Sequence, residues 1–186
     1  GLGKGFYESF LDLASKPDLN QVNFLSVILP ESKPTSGAAP VTTRLDAPGW
    51  IGAKMEHAAG SDIGFFHIGT ENGAAAGFTT DAKRFTASYD LSGALQKIYY
   101  EGNSISGNGL SLSSDVGTRG TMAIVSSGID AEIKSGKGCN LKVLVSGKPS
   151  SVLVGGLSVK DWTYDSGSKT VSLKLPAGTV ALKINK

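Results

Sequence analysis

Residues 50–69 read WIGAKMEHAAGSDIGFFHIG, and their pattern decides the fold class. In the first eight, Ile51, Ala53 and Met55 alternate with Gly52, Lys54 and Glu56. Successive side chains of a strand point to opposite faces, so strict alternation predicts a half-buried β-strand and not a helix. A break near Gly60-Ser61 follows, and then DIGFFHIG at 62–69 reads as the hairpin partner.

The same pattern runs outward toward the carboxyl end. KRFTASYD (83–90) places Phe85, Ala87 and Tyr89 on one face, and LQKIYYEGNSI (95–105) continues to a turn expected at Gly102-Asn103. DVGTRGT (115–121) reads as a hairpin turn whose single arginine is a possible anion contact. TMAIVSSG, IDAEIKSG, NLKVLVSG, SVLVGG, DWTYD, KTVSLKLP and TVALKIN complete the series. With 25 glycines punctuating short apolar runs, the chain is expected to be all-β. About 12–14 short strands, each with one apolar face, need a second sheet to cover them, which predicts an antiparallel β-sandwich. Only FYESFLDLAS (6–15) has helical spacing, so a short amino-terminal helix or arm is expected over 1–19. The β-sandwich is then assigned to 20–138, and a small terminal β-sheet region, richer in Lys and Val, to 139–186.

Composition narrows the function. The formal net charge is +2, with no Lys/Arg run, so no nucleic-acid partner is expected. No apolar stretch approaches the length of a membrane span. One cysteine, Cys139, permits neither an intramolecular disulfide nor a multi-cysteine metal site. No G-x-S-x-G elbow occurs, and the glycines of GLGKG (1–5) and SGKG (135–138) complete no phosphate loop. Asp81, Asp90, Glu101, Asp115, Asp130 and Glu132 are available as carboxylates, but no spacing selects a glycosidase pair. No catalytic residue and no cofactor is assigned.

Two sets of residues stand out by type. Exposed Trp and Tyr rings stack on sugars, which makes Trp50, Trp162 and Tyr164 carbohydrate-binding candidates, with core packing as the alternative. His57 and His67 fall on neighbouring strands and would form a metal site only if they faced each other and gained a third ligand from Glu56, Asp62 or Glu71. Cross-strand histidines on a half-buried face are the plainer reading.

A further pattern joins several of these segments. NQVNFLSVILP (20–30) precedes a proline-rich loop, alternating strands and then FTTDAKRFTASYDLSGALQKIYYEGNSISGNG (78–109). Through Phe24, Leu25, Val27 and Pro30, then Thr80, Asp81 and Ala82, Asp90 and Gly93, and Gly102, Ile105 and Gly109, residues 20–112 resemble the carboxyl-terminal part of heparinase II/III-like polysaccharide lyases. The last fifty or so residues are similar to the small terminal β-domain of some of these. The resemblance implies that 20–30 is a mid-protein strand and that this chain is the tail of something larger. It implies β-elimination on uronic-acid glycans by the parent protein, with an acidic polysaccharide and the parent's own catalytic domain as partners, in the bacterial periplasm or secreted. The family's catalytic Tyr, His, Asn and Arg come mostly from a helical toroid, and none maps onto a motif here. The expected function is therefore a non-catalytic β-sandwich portion. The alternatives are a stand-alone carbohydrate-binding module and a structural or adhesive surface domain.

Overall fold

The structure, a computed structural model, describes residues 40–69 and 73–186; the expected amino-terminal helix or arm, the strand at 20–30 and Glu71 lie outside the described residues. Fifteen strands follow in order: β1 (Val41–Ala47), β2 (Trp50–His57), β3 (Gly60–His67), β4 (Gly73–Ala75), β5 (Phe78–Thr80), β6 (Arg84–Asp90), β7 (Leu95–Gly107), β8 (Leu110–Val125), β9 (Gly128–Ser135), β10 (Cys139–Leu144), β11 (Ser151–Val154), β12 (Leu157–Ser158), β13 (Trp162–Asp165), β14 (Thr170–Leu175) and β15 (Gly178–Asn185). All pairings are antiparallel, and no helix occurs among the described residues. The all-β expectation holds.

Two long strands make one hydrogen-bonded sheet into two layers. The two layers share β7 and β8. Along β7, Lys97–Gly102 pairs with Ala123–Thr118 of β8, and beyond a register shift Ser104–Gly107 pairs with Ser113–Leu110. The first stretch belongs to a layer ordered β1-β2-β3-β6-β7-β8-β9-β15-β11-β12. The second carries β5 and β4 on one side, through β7, and β10, β14 and β13 on the other, through β8. Extra residues in a ladder bend the strand and increase its twist, so the shift at Gly102–Ser104 turns both strands from one layer into the other.

A single apolar cluster fills the space between the layers. Phe85 of β6, fully buried, lies 5.4 Å edge-on from Trp50 and stacks 5.3 Å from Phe65 in its own layer. It also meets Phe78 of β5, in the other layer, at 5.4 Å. Fully burying an aromatic ring contributes roughly 2–3 kcal/mol, so these rings hold the layers together. Strands from residues 139–186 are divided between both layers, and Cys139, Leu141, Val152, Leu173 and Leu182 join the same core.

Two sequence expectations about turns are corrected. Gly102-Asn103 does not reverse the chain, because β7 continues through it to Gly107. Residues 115–121 are not a hairpin turn but the middle of β8. The reversal falls at Asn108-Gly109, where φ is 50° and 78°, the paired positive values of a two-residue hairpin turn that only Asn and Gly adopt readily.

Candidate functional site

The aromatic candidates face inward. Trp50 is 1% exposed, packed against Phe65, Phe85 and, at 4.7 Å, the His67 ring. It therefore offers no face to a sugar, and the binding role expected of it is withdrawn. Its register explains why: in an antiparallel pair Trp50 sits opposite His67 on the core side of β2. Trp162 and Tyr164 occupy β13, which pairs only with β14 among the described residues. They lie opposite Leu173 and Val171 and pack, half-buried, on the core, while the alternating Thr163 and Asp165 are exposed. Their rings close the margin of the sandwich.

The two histidines do not face each other. The Ala58-Ala59 turn puts His57 opposite Gly60, so His67 pairs with Trp50 at the far end of the hairpin. Seven residues at about 3.3 Å each separate them by roughly 23 Å. His57 Nε2 instead lies 3.1 Å from Asp62 Oδ2, and its Nδ1 accepts the Ala59 N–H at 3.2 Å. No group of three His, Cys, Asp or Glu is placed to hold a metal ion among the described residues. Trp50 Nε1 and His67 Nε2 are buried with no hydrogen-bond partner among the described residues, against Gly73 and Gly69, which flank the segment not described.

Two concavities stand out among the described residues. An apolar cleft of about 300 Å³ opens at one end of the sandwich among Leu110, Ile124, Ile129, Val145 and Ile184. A polar groove of about 490 Å³ lies where β7 and β8 bend between layers, lined by Asp81, Lys83, Glu101, Arg119 and Lys134 with a floor of Gly102, Gly117 and Gly136.

The groove is built by register. Arg84, Glu101, Arg119 and Lys134 are direct partners across β6, β7, β8 and β9, so they stand side by side on the outward face of the first layer. Thr86, Tyr99, Thr121 and Glu132 occupy the next outward rung. Arg84 Nη2 pairs with Glu101 Oε2 at 2.8 Å, and this contact, with Tyr99 adding a smaller share, raises the guanidinium pKa further. Lys83, Arg119 and Lys134 form no ion pair among the described residues. Lys83 is held beside Arg84 because its N–H donates to Glu101 O at 2.8 Å.

Aspartates fix the bend. Asp81 Oδ1 accepts the N–H groups of Asn103 and Ser104 at 2.9 and 2.7 Å, satisfying donors that the bulge removes from the ladder. Asp115 accepts from Asn140 N at 2.8 Å and Asn140 Nδ2 at 2.6 Å, and these bonds hold its carboxyl below the ordinary value. Inside the bend the Tyr100 hydroxyl meets Thr118 Oγ1, which also donates to Gly102 O at 3.2 Å. Residue type alone pointed to tryptophans and histidines, whereas the structure gathers cations. The one signal in the sequence was the arginine of DVGTRGT, Arg119, which sits on a strand in the groove and not at a turn.

No protein-family model matches the chain, and no curated protein does.

Proposed function

We propose that the chain is a non-catalytic β-sandwich portion of a polysaccharide lyase acting on uronic-acid glycans, and that it contacts the acidic chain beside the catalytic domain of the same parent protein. The resemblance of residues 20–112 to heparinase II/III-like lyases supports the family, and with it a periplasmic or secreted location. The observation that carries the contact role is the outward rung Arg84–Glu101–Arg119–Lys134, with Lys83 alongside and the half-exposed Tyr99 one rung away. These hold four cations against Glu101 and the neighbouring Asp81.

β-Elimination has three requirements: a base for the C5 proton, an acid for the leaving oxygen, and neutralisation of the uronate carboxylate. In this reading the sandwich serves the glycan by holding carboxylates along its path, and proton transfer belongs to other parts of the parent. Arginine suits that task because its planar fork matches a carboxylate bidentately. An aromatic face beside it gives a pyranose ring an apolar surface.

Calorimetric titration of the chain with polyuronate oligosaccharides, with parallel absorbance of unsaturated product, tests this. Saturable heat without product is expected. Product formed by the chain itself overturns the non-catalytic assignment. Absence of heat with every uronic-acid glycan removes the contact role and leaves a structural one.

A further inference from the structure

We propose that the groove at the bend of β7 and β8 is a defined subsite for one uronate unit of the polyanion, with Arg119 as the carboxylate fork and the Lys83 and Lys134 ammonium groups as flanking contacts. The inference rests on the glycan reading above and places it at particular atoms.

Three features separate a subsite from a merely basic surface. The first is unspent charge. Glu101 is occupied by Arg84, and Asp81, itself an anion, is bonded at Oδ1 by two backbone N–H groups; among the described residues Lys83, Arg119 and Lys134 line the groove with no ion-pair partner, three cations against that one carboxylate. An ionised donor bonded to an ionised acceptor makes a short, strong contact, and a guanidinium adds direction to it.

The second is room. A side chain at Gly117 would find only Asn103 Oδ1, at 3.8 Å, and one at Gly136 would find nothing within 4 Å. Neither residue has a positive φ. Neither, then, is needed as glycine by its backbone or its neighbours, and together they leave open floor in front of Arg119. At about 490 Å³ the groove falls in the range that holds a small ligand.

The third is a fixed frame. The walls come from the two bulged strands, pinned by Asp81 to Asn103 and Ser104, by Asp115 to Asn140, and by Thr118 to Gly102. The backbone of the walls needs little ordering on binding, which favours affinity, and the cost that remains is that of fixing the exposed Lys83, Arg119 and Lys134 side chains.

The test compares charge removal with steric filling in the full chain. Arg119→Gln and Lys134→Gln each remove one groove cation. Lys174→Gln removes one exposed cation from β14 in the other layer, changing net charge equally. Gly117→Leu fills the groove at constant charge, and Gly136→Leu does so from a second position. Each is titrated with a polyuronate oligosaccharide, a neutral oligosaccharide, single-stranded nucleic acid and anionic vesicles, after thermal melting has shown it folded. Expected is about tenfold weaker polyuronate binding for Arg119→Gln and for either leucine variant, with Lys174→Gln within about twofold of the parent.

Polyuronate binding that Lys174→Gln weakens as much as Arg119→Gln, or that both leucine variants leave intact, overturns the subsite while the glycan reading stands. Absence of polyuronate binding by the parent chain overturns both. Groove-dependent binding of the neutral sugar, nucleic acid or vesicles in place of polyuronate overturns the assigned ligand.

Discussion

The Tyr100 hydroxyl and Thr118 Oγ1 lie 2.6 Å apart, both side chains buried, at the point where β7 and β8 pass from one layer to the other. Thr118 Oγ1 also reaches Gly102 O and lies 3.3 Å from Ser114 Oγ, so one hydroxyl pair ties the bulge on β7 to the bend in β8. Burial pushes the Tyr100 phenol up to about 12, with Thr118 acting in the opposite direction.

That shift sets a pH dependence with a definite sign. In the unfolded chain the phenol ionises near its ordinary value of 10, while in the folded chain it keeps its proton to about 12. Between those values the unfolded state binds fewer protons, so stability falls as pH rises, by about 1.4 kcal/mol per pH unit. Tyr100→Phe removes this group and loses about 1 kcal/mol of hydrogen bonding at neutral pH. The difference in unfolding free energy between the two proteins should therefore shrink above pH 10 and reverse before pH 12. Tyr89 and Cys139 are also raised by burial, but they are common to both proteins and cancel. Urea unfolding of both at pH 8, 10 and 11.5 measures the crossover, and a constant difference would refute the buried assignment.

Gly107 carries a second prediction. It ends β7 with φ 146°, and a Cβ there would sit 2.0 Å from Gly77 O, which is backbone and cannot move aside alone. Gly93 also has positive φ, 80°, but nothing within 4 Å. Gly107→Ala should lose about 2 kcal/mol or more, through clash and strain together, and Gly93→Ala about 1 kcal/mol through strain alone. Denaturant midpoints of the two variants decide it, and equal losses would mean that contact with Gly77 contributes nothing.

Many strands were legible because alternation survives in them: Phe85, Ala87 and Tyr89, or Val180, Leu182 and Ile184, announce their inward face directly. In β2 alternation gives the strand but not the side, since Trp50 and Gly52, opposite His67 and Phe65, face the core while Ile51, Ala53 and Met55 lie on the other face. The bend was not. EGNS and DVGTRGT carry the glycines of a chain reversal, yet Gly102 is needed because a side chain there would meet Ala82 Cα at 2.6 Å, whereas one at Gly117 would meet only Asn103 Oδ1, at an ordinary 3.8 Å. Local composition does not distinguish a turn glycine from a glycine of close approach, since the neighbour involved is 20 residues away. The site followed the bend into invisibility: Lys83, Arg119 and Lys134 are far apart in sequence and meet only through register. Trp50 was conspicuous by type, but its partners Phe65 and Phe85, on two other strands, make it core.

The carboxylates at the turns and the bend give the acid limb. Asp115 is held down first by the Asn140 N–H, Asp90 first by the Ser92 hydroxyl, and Asp165 first by the Ser168 hydroxyl. A carboxyl depressed in the folded state contributes stability above its unfolded value, and that contribution is lost as pH falls through the folded value. The thermal midpoint should thus decline below the ordinary aspartate value of 3.8. All three groups are exposed and screened, so the decline should be shallow. Asp115→Asn has a more local consequence, because it places an amide against the Asn140 amide and leaves one donor of that pair without an acceptor. Its midpoint should drop at pH 7 and approach that of the parent as the pH falls toward 2, where protonation weakens the same contact in the parent. Amide exchange at Asn140 should rise in the variant at pH 7, while exchange at Val180 and Leu182, in the other layer, stays as it was. Unchanged exchange at Asn140 would show that the bend, and the groove it shapes, is held without Asp115.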